Sequence, residues 1–248
     1  MTIVLNYPHD TSSHQPLMLS SRDIWRLGEE ARAQVDGGAT PALSFTNLAA
    51  RTRTLRINGL ELQTYWAFEP EVRDDRGYAV MAAIEYDREV PRTALLSLNS
   101  TILAERDDVT MSTAAHELGH AVFDAPGWIA ADEKSGEESG DVTRRFRSVM
   151  RRYRSSKPLD PAEWRANEFM GSFLAPRRLL QWQMIKALRE LKLPRRLSAH
   201  GAVVLDPGRL GFAEAQAVVD ELARAFGLSQ AFIEYRLVRY GMAPKAAQ

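Results

Sequence analysis

Two histidines and a glutamate in the sequence His-Glu-Leu-Gly-His, residues 116–120, have the types and spacing of a metal site. In a helix, residues four apart lie on one face, so His116 and His120 can direct their imidazoles to a single point. Glu117 is displaced by about 100° around the helix axis and lies beside that point. Two neutral imidazoles with a neighbouring carboxylate are typical of zinc hydrolases, in which the carboxylate is the general base. The alternative is a buried histidine pair with a structural role.

The residues around this motif favour a helix. Thr110 or Ser112 can cap its N terminus. Gly119 lies inside the predicted helix, where glycine costs roughly 1 kcal/mol relative to alanine. It therefore predicts that something packs or binds closely at this position. The apolar neighbours are Met111, Ala114, Ala115, Leu118, Ala121, Val122 and Phe123.

Composition limits the class of protein. The 248 residues contain 32 Lys plus Arg and 32 Asp plus Glu, so net charge predicts neither nucleic acid nor a membrane as the main partner. The absence of cysteine excludes disulfides and cysteine-ligated metal, and fits a reducing compartment. Residues 1–16 lack a secretory signal pattern, and no apolar run reaches the roughly 20 residues that span a bilayer. We therefore expect a soluble, cytoplasmic protein.

Periodicity, capping residues and turn residues predict the order of the elements. A helix near the N terminus is followed by strands, the metal helix and further helices. The predicted helix bounds are Ser20 or Ser21 to Val35, Asp160 to about Pro176, and 177–193, with two short helices within 212–239. The predicted strands are Leu60–Phe68, Tyr78–Tyr86 and Thr93–Leu98.

A charged insert separates the metal helix from the helix that begins near Asp160. Residues 126–141 contain three glycines and five acids, which predicts a mobile, solvated loop. The basic block that follows, residues 144–157, predicts a solvent-facing helix side paired with the acidic loop, or alternatively a surface for an anionic partner. Because both segments are tethered close to the metal motif, we expect the insert to gate or read the substrate.

The best candidate for a third metal ligand is Glu163. It shares a predicted helix with Asn167 four residues later, so the two side chains face the same way. Glu163 could ligate the metal while Asn167 hydrogen-bonds the remote ring nitrogen of a histidine. Glu168 points about 100° away from Asn167 and is less well placed. The alternative role for Glu163 is that of a capping-box acid at the start of its helix.

Four elements in this order resemble the ImmA/IrrE metallopeptidases, which belong to the gluzincins. The resemblance covers about residues 94–242. Two differences are Met170-Gly171, where the family has a small residue, and a longer gap between His120 and Glu163. The matching elements are Leu96–Asn99, Thr113–His120, Glu163–Phe169 with Phe173–Pro176, and Ala223–Ser229 with Tyr235–Gly241.

The resemblance implies a zinc endopeptidase with His116, His120 and Glu163 as metal ligands and Glu117 as base. It implies an α+β fold with a small thermolysin-like core, called a minigluzincin, that has a short mixed sheet, an active-site helix and a helix-turn-helix-like C-terminal tail. It also implies a specific protein substrate, typically a helix-turn-helix repressor whose cleavage derepresses genes. His200 and Tyr153 are weak candidates for the group that stabilises the oxyanion.

These features predict three segments: an unassigned helical region over 1–58, a metallopeptidase domain over 59–200 with the insert 126–158, and a tail over 208–248. The strand at 93–98 could accept an extended substrate by edge pairing. The alternative function is a DNA- or protein-binding regulator that uses the tail, with 230–238 as recognition helix and any zinc structural or vestigial. The apolar residues of that helix favour packing, so DNA binding is the weaker hypothesis.

Overall fold

The computed structural model describes residues 2–37, 40–74, 76–135, 145–150, 160–198 and 203–244, with backbone only for residue 135 and for 145–150. Over these residues the chain is an α+β protein with one six-stranded mixed sheet. In this part of the chain, no helix combines the length and the apolar character that crossing a membrane requires.

The sheet has the strand order β1-β2-β3-β5-β4-β6. The pairs β1–β2 and β3–β5 are parallel, and the other three neighbouring pairs are antiparallel. A two-residue turn, Asn58-Gly59, joins β2 to β3; both residues have positive φ, as a type I′ hairpin requires. The strands are β1 (Thr2–Leu5), β2 (Thr54–Ile57), β3 (Leu60–Glu69), β4 (Ala82–Asp87), β5 (Thr93–Asn99) and β6 (Arg145–Met150).

The helices pack on one face of the sheet and on each other. Helix α4 contacts β4 and β5, while α6 packs between α4 and α1. The helices are α1 (Ser21–Asp36), α2 (Phe45–Arg51), α3 (Ser100–Leu103), α4 (Asp107–Phe123), α5 (Ala125–Ser135), α6 (Pro161–Leu174), α7 (Arg177–Glu190), α8 (Pro207–Leu210), α9 (Phe212–Phe226) and α10 (Gln230–Arg239).

The predicted helices at the N terminus, at the metal motif and after Asp160 are confirmed within a few residues, but the metal-motif helix begins at Asp107, so neither Thr110 nor Ser112 caps it. Ser20 caps α1 in a capping box with Asp23, and Asp160 caps α6. The three predicted strands are also confirmed, although β4 begins at Ala82 because Asp74 and Tyr78 form a turn just before it. Strands β1 and β2 were not predicted, so residues 1–58 are not only helical.

The prediction of a loop over 126–141 is wrong for its first half. Residues 125–135 form α5, in which Ile129 is fully buried and Asp132 contacts Tyr86 and Arg88. Glu133 forms an ion pair with Arg92 of the β4–β5 turn. Burial of the apolar side of this segment therefore outweighs its glycine and acidic content. Residues 136–144 lie outside the described residues.

The basic block is also not the predicted helix where it is described. Residues 145–150 form β6, which pairs antiparallel with β4. The prediction of edge pairing at Thr93–Leu98 is also wrong, because β5 lies between β3 and β4 and pairs with both. The edges of the described sheet are β1 and β6. Residues 151–159 lie outside the described part of the chain.

One hydrophobic core includes residues from all three predicted segments. Ile3 and Leu5 of β1, Leu118 of α4 and Leu237 of α10 belong to the same cluster of buried side chains. The N-terminal strand and the C-terminal helix therefore help to hold the helices that carry the predicted metal ligands.

Candidate metal centre

The two histidines of α4 lie one turn apart and face the same point. Both side chains are buried, with 1% of their surface exposed, and their Nε2 atoms are 3.1 Å apart. The four-residue spacing in a helix accounts for this arrangement, as the sequence predicted. The two imidazoles thus present a pair of nitrogen donors.

Helix α6 brings the third predicted ligand to the same point. Glu163 lies in its first turn, after the Asp160 cap and Pro161. Its Oε2 atom is 3.3 Å from the Nε2 of His116, and its Oε1 atom is 3.4 Å from the Nε2 of His120. Glu163 is 24% exposed, so it is the ligand candidate nearest to solvent.

The spacing of the three donors fits a tetrahedral metal ion. Zinc–nitrogen and zinc–oxygen bonds of about 2.0–2.1 Å place the corners of a tetrahedron roughly 3.3 Å apart. The observed separations between donor atoms are 3.1, 3.3 and 3.4 Å. The group of His116, His120 and Glu163 could therefore bind a metal ion.

A close contact between α4 and α6 explains the glycine in the motif. A Cβ atom on Gly119 would lie 2.9 Å from the Cα of Ala166 and 3.2 Å from its carbonyl oxygen. The prediction that something packs closely at Gly119 is confirmed. Because the two helix backbones approach closely here, the carboxylate of Glu163 lies within 3.4 Å of the histidine Nε2 atoms.

Each histidine is oriented by a hydrogen bond at its other ring nitrogen. The Nδ1 of His116 is 3.2 Å from Oδ1 of Asn167, and the Nδ1 of His120 is 2.6 Å from Oδ2 of Asp124. Since both acceptors are oxygens, the network assigns the proton to Nδ1, where it is donated, and leaves Nε2 to face the site. The predicted partnership of Asn167 with a histidine is therefore present in the structure.

Sequence analysis missed Asp124. It lies four residues after His120, on the same helix face, and that spacing was the available signal. Arg165 of α6 donates from Nη2 to the second oxygen of Asp124 at 2.9 Å. Arg165 thus holds Asp124, which in turn orients His120. Helix α6 therefore helps to orient both histidines, His116 through Asn167 and His120 through Arg165.

Glu117 is a buried carboxylate beside the metal donors. Its side chain is fully buried, and neither carboxylate oxygen has a hydrogen-bond partner among the described residues. Burial raises the pKa of Glu117 to about 8, with a further increase from Glu163 and an opposing effect of His120. A carboxyl group in this state can accept and release a proton near neutral pH.

The charges of the ligand group are strongly coupled. Burial lowers the pKa of His116. Burial also acts to lower the pKa of His120, but hydrogen bonds to Asp124 and Glu163 outweigh it and raise that pKa to about 10. Burial opposes ionisation of Glu163, yet its contacts with the two histidines hold the pKa of the carboxyl well below its usual range. The site thus favours positive charge next to Glu163.

Glu168 belongs to a different buried cluster. It accepts hydrogen bonds from the indole of Trp25 and from Arg239 of α10, and it lies 3.6 Å from the guanidinium of Arg236. Arg236 is 1% exposed and stacks over Tyr240. Glu168 therefore faces α1 and α10 rather than the candidate metal centre.

The contacts of this cluster also show how the C-terminal helix α10 packs. Ile233 and Leu237 of α10 are buried in the core, as expected for packing. Arg236 and Arg239, the cations that this helix would offer to DNA, contact Glu168. His200 and Tyr153, the candidates for an oxyanion donor, lie outside the described residues.

Comparison with known proteins gives no independent assignment. No protein-family model, no curated protein and no solved structure matches this chain. A function for this chain therefore has to be inferred from the arrangement of its own residues.

Proposed function

We propose that this protein is a zinc-dependent endopeptidase with His116, His120 and Glu163 as metal ligands and Glu117 as general base. One observation carries the proposal. Three donor atoms have tetrahedral spacing, and a buried carboxylate without a hydrogen-bond partner among the described residues lies beside them. A purely structural histidine pair would not require that carboxylate.

Zinc held by three protein ligands would supply a Lewis acid and would lower the pKa of a bound water to about 7. Glu117 would take a proton from the attacking water and deliver it to the nitrogen of the leaving amine as the C–N bond breaks. Asn167 and Asp124 would hold the imidazoles in one tautomer and orientation. Burial of Glu117 keeps competing water away from the carboxylate.

The resemblance to ImmA/IrrE peptidases supports a narrower version of the proposal. It favours a minigluzincin core and a protein substrate, a helix-turn-helix repressor whose cleavage would derepress genes. The contacts of Arg236 and Arg239 with Glu168 weigh against the alternative of DNA recognition by α10. The part played by α10 would then be to support α6.

A Glu117→Gln variant tests the proposal directly. Wild-type protein loaded with zinc should cleave members of a mixed peptide library, with the new termini identified by mass spectrometry. Glu117→Gln should retain about one zinc per chain and lose cleavage, because the amide keeps the shape but cannot accept the proton. His120→Ala is the control that loses both zinc and activity. Full cleavage by Glu117→Gln, or full zinc in His120→Ala, would contradict the assignment.

A further inference from the structure

Strand β3 extends past its neighbour β2 on one side of the sheet. Strand β2 pairs only with residues 60–63 of β3, whereas β5 pairs with residues 63–69 on the other side. The N–H of Thr64 still donates to the carbonyl of Arg53 at 3.0 Å. Beyond Thr64, no described strand pairs with β3 on the β2 side. Residues 65–69 therefore protrude past β2 with one side open.

The backbone groups of two aromatic residues point out of this open side. The N–H of Thr64 points towards β2, while that of Gln63 donates to Arg92, just before β5. This direction alternates along a strand. The N–H and C=O groups of Trp66 and Phe68 therefore face the open side. An edge with such groups is a template on which another strand can pair.

An exposed aromatic group lies beside the open side of β3. The side chains of Trp66 and Phe68 project to the helix side of the sheet, like the buried Leu62. Phe45 of α2 packs edge-on against both rings, at centroid distances of 5.6 and 4.8 Å. Phe68 nevertheless stays 51% exposed, and Tyr65 on the outer face is 66% exposed. A partner strand that brings further aromatic side chains would cover these rings.

The sequence of this segment, Tyr-Trp-Ala-Phe-Glu at 65–69, complements itself. In an antiparallel pair centred on Ala67, Trp66 of one copy lies directly opposite Phe68 of the second copy, and the reverse. These are the residues whose backbone groups face outward, so each aromatic pair also exchanges both of its N–H···O bonds. Ala67 then lies opposite the same residue of the second copy, at a non-hydrogen-bonded position where side chains are closest. Its small side chain permits that approach.

We propose that this protein forms a twofold-symmetric dimer in which the open sides of two β3 strands pair antiparallel through residues 65–69. The same patch is used on both copies, so the assembly closes at two. The paired segment is bounded on both sides. Thr64 is already held by Arg53, and Pro70 has no N–H to donate. The inference is independent of the proposed peptidase function.

Sedimentation equilibrium of the full-length chain tests the dimer. The wild type should dimerise in the micromolar range. Phe68→Glu should raise the dissociation constant of the dimer at least about tenfold, because both cross-strand aromatic pairs are lost. Phe212→Glu is the matched control, since Phe212 is 78% exposed but lies on α9. A monomeric wild type, or equal dissociation constants for Phe68→Glu and Phe212→Glu, would overturn the proposal.

A symmetric disulfide tests the register without weakening the fold. The chain contains no cysteine, so Ala67→Cys introduces a single thiol per copy. At the twofold axis the two thiols would face each other at a separation that a disulfide can span. Mild oxidation should convert this variant to a covalent dimer that reduction reverses. Tyr65→Cys is the matched control on the same face, because its two copies would lie roughly 13 Å apart along the strands. Absence of the covalent dimer in Ala67→Cys, or equal cross-linking of Tyr65→Cys, would overturn the proposed pairing.

Discussion

Asp124 orients the ligand candidate His120, because its carboxylate accepts the Nδ1 proton at 2.6 Å. Removing such a partner costs about 10–100-fold in metal affinity. We therefore expect Asp124→Ala to weaken zinc binding by that factor, measured by competition with a chelator of known affinity. Asp132→Ala is the control, because Asp132 has a similar exposure but contacts Tyr86 and Arg88 instead. Wild-type affinity in Asp124→Ala would show that His120 needs no partner.

Glu163 and Glu168 lie five residues apart on α6. Substituting each in turn distinguishes the loss of a metal-ligand candidate from a loss of stability. Glu163→Gln should weaken zinc binding first. Glu168→Gln should leave zinc affinity close to that of the wild type, but it leaves Arg236 buried without a full counter-charge. Breaking a buried ion pair typically lowers the free energy of unfolding by about 3–5 kcal/mol, and chemical denaturation measures this change. If Glu168→Gln loses zinc and Glu163→Gln keeps it, the ligand assignment is wrong.

At the scale of elements, the contact between α4 and α6 sets the distance between the ligand candidates on these two helices. Gly119→Ala would place a Cβ 2.9 Å from the Cα of Ala166 and force the helices apart. We expect this overpacking to lower the free energy of unfolding by about 1–3 kcal/mol. The higher helix propensity of alanine should offset roughly 1 kcal/mol of that loss. The free energy of zinc binding should fall by more than the free energy of unfolding does.

Gly28→Ala provides the matched comparison for this helix contact. Its Cβ would lie 3.0 Å from backbone atoms of Phe169 and Phe173, on the contact between α6 and α1. This variant should lose stability while zinc affinity changes little. If both glycine variants weaken zinc equally, the spacing between α4 and α6 is not what fixes the ligands.

The elements that the sequence predicted are those whose signals are local. The four-residue spacing in α4 predicted that His116 and His120 share one helix face. The same spacing in α6 predicted that Glu163 and Asn167 share another. Strands β1 and β6 pair with strands distant in the sequence, so their short segments carry little signal of their own. Strand β2 pairs with β3 across the Asn58-Gly59 turn, a local hairpin signal that was overlooked. The central position of β5 is a matter of strand order, which no local pattern encodes. Helix α5 was missed because its acids and glycine outweighed its buried face in the local pattern.

At the scale of the whole molecule, the core joins the two chain ends to the candidate metal centre. Ile3 and Leu237 belong to one cluster with Leu118 and Phe169. We therefore expect a single unfolding transition for the chain in calorimetry. Zinc at 100 times its dissociation constant should stabilise the folded state by about 2.7 kcal/mol, and a chelator should reverse the shift. Separate melting of the C-terminal helices, or no shift with zinc, would contradict this expectation.

The unequal exposure of the three ligand candidates has a kinetic consequence. Both imidazoles have 1% of their surface exposed, whereas Glu163 is 24% exposed. A chelator approaching from solvent therefore meets the carboxylate before either nitrogen. The rate at which an ion is exchanged would depend on how often Glu163 turns outward, independently of how tightly the closed site holds the ion. Residence time and affinity can thus be set by different residues of the same centre.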